Sequence, residues 1–223
     1  VVHAEADVML ERRHRPAVEV AEHAASRREP LGHHRIRLVG GAVIGQAEPA
    51  PGVRSYAAMI VTLYLLAIRI GEVRLKYTMD HANIFRTSIL HACDGMDETF
   101  DDIDKQCFEI ARAFSGSTYF EFIGSGTDYA TASYGQKKMY EAVGFPATAT
   151  DSESWFHVDF FNRHHDRTMS VLIADSRNPG NSRNLELATR MNAMGKRLIV
   201  VSNEPEPFGP WFPVRVPECE QDW

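Results

Sequence analysis

The sequence points to an α/β fold, a parallel sheet covered on both faces by helices and reached through a helical lead-in. Three observations carry this reading. From about residue 117, short β-rich runs alternate with helical stretches, as parallel βαβ units require. The first β-rich run ends in Gly124-Ser125-Gly126-Thr127, a tight turn into a helix. Upstream, Met96 to Phe114 places Phe100, Ile103, Cys107, Ile110, Ala111 and Phe114 at steps of three and four, one apolar stripe of a helix.

The elements follow in chain order. Ala6 to Leu10 reads as a short strand. A run rich in Arg and His follows, including Arg12, Arg13, His14, Arg15, Arg27, Arg28, His33 and His34, without a period of 2 or 3.6. Residues 1–53 are therefore expected to be irregular. The apolar run Ala57 to Ile68, closed by Arg69, falls short of the roughly 20 residues that cross a bilayer, so a buried core helix ending near Gly71 is expected. Residues 54–113 read as helices, with Asp97, Asp101, Asp102 and Asp104 on a solvated face. Strands are then expected at Thr118–Ile123, Ala147–Thr150, Met169–Ala174 and Arg197–Val201, and a proline-limited edge strand at Pro213–Pro217. Helices are expected at Asp128–Val143, Ser152–Phe161 and Asn181–Met194, with a tail at 218–223.

Composition excludes several classes of protein. Hydrophobic residues make up 44% and charged residues 24%, which rules out wholesale disorder and collagen-like chains. The net charge of -6 argues against sequence-independent nucleic-acid binding, because Glu11, Glu19, Glu22 and Glu29 break up the basic segment. Cys93, Cys107 and Cys219 form no C-x-x-C pair and no disulfide framework, so a reducing, cytoplasmic setting is expected. No membrane partner is expected. His164 and His165 are adjacent, a spacing poor for chelation, and no metal is expected.

The glycine turn directs free backbone N–H groups at the start of a helix, which suits an anion. A dinucleotide site would need a small residue where Tyr129 stands. On the helix that follows, Ala132, Gly135, Met139 and Ala142 form a face for close packing, and Tyr134, Lys138 and Glu141 line its flank. Read alone, Lys138 and Glu141 are an exposed i, i+3 ion pair rather than a proton shuttle and clamp.

Three segments in order resemble the SIS (sugar isomerase) domain. They are Gly124 to Ala132, the Lys138 and Glu141 helix, and Glu153-Ser154-Trp155-Phe156-His157, with Ala174 to Asn178 and its helix extending the match over about 117–203. The helix beginning Arg54-Ser55-Tyr56 resembles the one joining the halves of double-SIS proteins, with residues 1–10 as the remnant of a first domain. The chain is thus similar to the second SIS domain of the isomerase part of glutamine–fructose-6-phosphate aminotransferases (isomerising) and to related phosphosugar isomerases and deglycases.

That resemblance implies a three-layer αβα sandwich with a flavodoxin-like parallel sheet over 114–217, preceded by linker helices. It implies a sugar-phosphate ligand, aldose–ketose isomerisation or deglycation through an enediol, a homodimer and no cofactor; the alternative is a sugar-phosphate-binding module without catalysis. Glu141 matches the general base and Lys138 a lysine beside the substrate. His157, sixteen residues after Glu141, matches the ring-opening histidine, often supplied by a neighbouring subunit. Gly124, Ser125, Gly126, Thr127 and Ser176 match substrate-binding turns. The sequence also departs from the family. Tyr134 stands where the aminotransferases have glutamate, Asp128 where a phosphate-gripping domain has serine or threonine, and Asp175 and Asp128 both oppose a phosphate dianion.

Overall fold

The computed structural model describes residues 52–209 and 211–218. The expected strand at 6–10, the Arg/His-rich segment, Cys219 and most of the tail lie outside the described residues. The described chain divides into two compact units, 52–100 with 217–218 and 101–216.

The helical unit contains α1 (Val53–Val73) and the first part of α2 (Met79–Ala113), a helix of 35 residues. Ile68, Ala82 and Ile89 form its core, with Val61, Leu65, Tyr77 and Phe85 packed around them. The Tyr77 hydroxyl donates to the Ile68 carbonyl at 2.8 Å, tying the inter-helix turn to α1. Glu72 accepts from Arg69 at 2.9 Å and from Arg86 at 2.8 Å.

Two expectations for α1 need correction. It is not a buried core helix: only Ile68 is buried, while Met59, Leu63, Leu66, Ile70 and Val73, at steps of four and three, are about half exposed or more. Its residues are apolar on two stripes, and α2 covers one of them. Nor does the apolar stretch close at Arg69, although the helix itself ends at Val73, near the expected Gly71. Ser55–Val73 is long and apolar enough to cross a bilayer, as a matter of length and composition.

In the α/β unit five strands form one fully parallel sheet in the order β2-β1-β3-β4-β5. They are β1 (Tyr119–Gly124), β2 (Ala147–Thr150), β3 (Thr168–Ile173), β4 (Leu198–Ser202) and β5 (Phe212–Arg215). Period-two alternation sends successive side chains to opposite faces. Phe122 is in register with Val171, and Val171 with Ile199, on one face; Ile123, Leu172 and Val200 make the matching row on the other. The first face is covered by α3 (Asp128–Ala142) through Ala132 and Met139, and by Ile103, Ile110 and Phe114 of α2. The second is covered by α4 (Ser152–His157) and α5 (Asn181–Ala193) through Trp155, Leu187, Ala188 and Met191.

This is the three-layer sandwich with flavodoxin-like strand order. Gly135 sets how closely α3 approaches the sheet, since a Cβ there would fall 2.7 Å from Phe122 Cδ1. The expected stripe on α2 holds at Ile103, Ile110 and Phe114, whereas Phe100 and Cys107 are exposed. The expected Ser152–Phe161 helix breaks at Val158 and resumes as a 3-10 turn, Asp159–Phe161.

The second face also buries charge. Glu121 (0% exposed) accepts from the Ser170 hydroxyl and, at 3.4 Å, from Trp155 Nε1. Lys196 (1% exposed) holds its ammonium 4.8 Å from the centre of a Trp155 ring and reaches the Asp159 carbonyl at 3.5 Å. Burial pushes the Glu121 carboxyl up and the Lys196 ammonium down, and each charge partly reverses the other's shift.

Candidate active site

In a sheet of this order the chain reverses its winding between β1 and β3, which opens a crevice at their carboxyl ends where ligands of such folds bind. Gly124, Ser125, Gly126 and Thr127 form one lip and Asp175 to Gly180 the other. Gly126 takes a left-handed φ of 57°, which only glycine adopts without strain. The lips are closely joined. Asn178 Nδ2 donates to the Ser125 carbonyl at 2.7 Å and to Asp128 Oδ2 at 2.9 Å. The Asp175 N–H donates to the same carboxylate oxygen at 3.1 Å. A Cβ on Gly180 would come 3.1 Å from Ser125 Cβ.

The hydroxyls of the crevice are engaged as well. Ser125 Oγ donates to Asn184 Oδ1 at 3.3 Å and accepts from the Ser152 N–H at 3.3 Å. Ser176 Oγ accepts from Asn203 Nδ2 at 2.9 Å, and Asn203 Oδ1 takes the Ser176 N–H at 2.9 Å. Asn178, Asn184 and Asn203 are structural members of this site that sequence reasoning missed. Their signal was available: asparagines just past β3 and β4 and in the first turn of α5, side chains that bond readily to nearby backbone. Asp151 serves as N-cap of α4, accepting from the N–H groups of Glu153 and Ser154 at 3.0 Å each.

Lys138 and Glu141 are brought together on the flank of α3. The ammonium donates to the Glu141 carboxylate and lies 5.1 Å from the Tyr134 ring centre. That hydrogen bond to Glu141, the largest influence on it, raises the Lys138 pKa and keeps it cationic. The pair lies away from the crevice: ten and thirteen residues along α3 correspond to about 15–20 Å at 1.5 Å per residue.

His157 sits elsewhere again. It ends α4, on the face of the sheet opposite α3, with its side chain 71% exposed. Its Nε2 is 3.0 Å from Glu153 Oε1, and Glu153 Oε2 accepts from Arg183 Nε at 2.7 Å. These two partners, His157 first, hold the Glu153 carboxyl below its ordinary range. One chain therefore joins Lys138 to Glu141 but keeps the crevice loops and the imidazole apart from them. A separate open groove of about 700 Å³, lined by Tyr119, Asp159, Asn162, His164 and Arg167 among others, lies at the amino-terminal edge of the sheet. Among the described residues no group of three His, Cys, Asp or Glu side chains is arranged to hold a metal ion.

No protein-family model matches the chain, and no curated protein matches it. Solved structures do. A putative sugar binding protein from Salmonella typhimurium LT2 superposes with a TM-score of 0.62 at 13% identity, over 75% of this chain and 50% of that one. The C-terminal domain of glucosamine-fructose-6-phosphate aminotransferase from Francisella tularensis superposes with a TM-score of 0.60 at 16% identity, over 73% and 46%. The likeness is one of fold: the chain shares the three-layer α/β fold of these domains, in agreement with the fold that the SIS resemblance of its motifs implies. It spans about half the length of the solved chains it matches.

Proposed function

We propose that this chain forms part of a sugar-phosphate isomerase of the double-SIS type, with Glu141 as the base that moves a proton between C1 and C2 of the open-chain sugar. The observation that carries the reading is the Lys138–Glu141 pair, fixed in contact on a helix flank beside the Tyr134 ring. Isomerisation through an enediol needs a carboxylate that can address both carbons and a cation for the developing oxyanion. Glu141 fits the first role. Lys138, held protonated and only 22% exposed, fits the second. Substrate binding would draw the ammonium from the carboxylate to the sugar oxygen, which frees Glu141 to accept the proton.

His157 lies on the opposite face from Glu141, so in this reading a second copy of the chain supplies the imidazole that opens the ring. Sugar-phosphate binding without turnover is the second reading, favoured by the separation of His157 from the Lys138–Glu141 pair within one chain. Fructose 6-phosphate incubated with the full-length protein in D2O separates the two. The isomerase reading expects deuterium at C1 and C2 by NMR, and its loss in Glu141→Gln with ligand binding retained. Exchange that persists in that variant rejects Glu141 as the base, and saturable binding without exchange in the wild type selects the second reading.

A further inference from the structure

We propose that Asp128 is the specificity-determining residue of the β1–β3 crevice: its carboxylate is a built-in anion that keeps phosphate-type anions out. This stands apart from the isomerase reading, which rests on the far end of α3. A turn such as Gly124–Thr127, followed by a helix, would ordinarily present backbone N–H groups and a helix dipole to an anion from outside. Here the anion comes from the first residue of that helix. Asp128 is 9% exposed, and its Oδ2 accepts both the Asp175 N–H from the loop after β3 and Asn178 Nδ2.

The arrangement closes like a clasp. Asn178 also donates to the Ser125 carbonyl, and its own carbonyl oxygen takes the Gly180 N–H at 2.9 Å. On the lip after β3, the Asp175 N–H, the Gly180 N–H and the Asn178 amide are thus taken up by one carboxylate and one asparagine. A Cβ built at Gly126 would lie in ordinary contact with the Asn178 amide at 3.5 Å, which places the asparagine against the glycine lip. Charge completes the exclusion. Burial, the largest influence on Asp128, raises its pKa, while the Asp175 N–H and Asn178 counter that shift. The second acid of the crevice, Asp175, is paired with Arg177 at 3.0 Å, which leaves Asp128 as the carboxylate that an entering phosphate would meet.

The phosphate of a sugar-phosphate ligand is therefore not held in this crevice. Replacing Asp128 by serine should convert the clasp into a phosphate cradle, with the Asp175 N–H released and a hydroxyl in place of the charge.

The test uses inorganic phosphate, not a sugar, so that its outcome is independent of turnover. In the wild type, amide signals of Gly126, Asp175 and Ser176 should show no saturable shift with added phosphate. In Asp128→Ser the same amides should shift saturably, with affinity raised on the order of tenfold or more. Saturable shifts at those amides in the wild type, or a folded Asp128→Ser with no gain, would overturn the proposal. Should the variant fail to fold, hydrogen exchange in the wild type decides. The Asp175 amide must be protected, and exchange at the rate of an open loop rejects the clasp.

Discussion

Lys138 and Glu141 are separated from the many surface ion pairs of this chain by their setting. Lys105 with Asp102 is an i, i+3 pair 75% and 84% exposed, whereas Lys138 is 22% exposed and lies over an aromatic ring. An exposed pair contributes almost nothing measurable. For Lys138→Met the expectation is a loss of about 10²–10³ in kcat, the scale for removing one oxyanion donor, with little change in melting temperature. Full activity in that variant would return Lys138 to the rank of a surface cation. At this scale the sequence put Lys138 and Glu141 on one helix flank, where the structure joins them, and His157 at the end of the next short helix. It marked Asn178, Asn184 and Asn203 as asparagines at turns and a helix start but was silent on what they hold, because those partners come from 20 to 60 residues away and depend on strand register. It was equally silent on Glu121 and Lys196: a single acid in a β-rich run looks like a solvent-facing residue until both faces of the sheet are known to be covered.

Among the elements, α3 is held by close approach. Gly135→Val should destabilise the α/β unit by about 1–3 kcal/mol in urea unfolding, since the added branch meets Phe122 Cδ1 where even a Cβ would lie at 2.7 Å. The short helix α4 depends on its cap. Asp151 accepts two backbone N–H groups and the Ser154 hydroxyl, bonds that hold its carboxyl below the ordinary range. Asp151→Ala should cost about 1 kcal/mol, and a neutral effect on unfolding would show that α4 is held by Trp155 packing alone. Strand and helix positions in the α/β unit were legible because alternation and glycine breaks agree there. The setting of α1 was not. An apolar run without caps reads as core whichever way it is turned, and the second stripe of α1 is exposed because α2 covers only the first.

For the whole molecule, the buried Glu121–Lys196 pair fixes a pH dependence. The Glu121 carboxyl is raised above its unfolded value, so between those two values the native state holds a proton that the unfolded chain releases. Stability from this group is present below the ordinary carboxylate range and is lost as pH rises through the raised value. Asp175 and Glu153 have lowered values and act in the opposite sense, losing stability as pH falls, but they are common to wild type and variant. The melting temperature of wild type minus that of Glu121→Gln should therefore decline from pH 4 upward. A difference that grows with pH would mean that Lys196 more than offsets the desolvation of Glu121.

The proposed sharing of the site between two copies makes the strongest claim, because α3 with Glu141 and α4 with His157 cover opposite faces of one sheet. Glu141→Gln and His157→Ala, each prepared in the full-length protein and each inactive alone, can be mixed, unfolded and refolded together. A mixed dimer pairs an intact Glu141 from one chain with an intact His157 from the other, so one complete site returns per mixed dimer. The expected result is recovery of roughly a quarter of wild-type isomerisation of fructose 6-phosphate at equal mixing, since half the dimers are mixed and each restores one of two sites. No recovery from the refolded mixture, with mixed dimers present, would contradict the account.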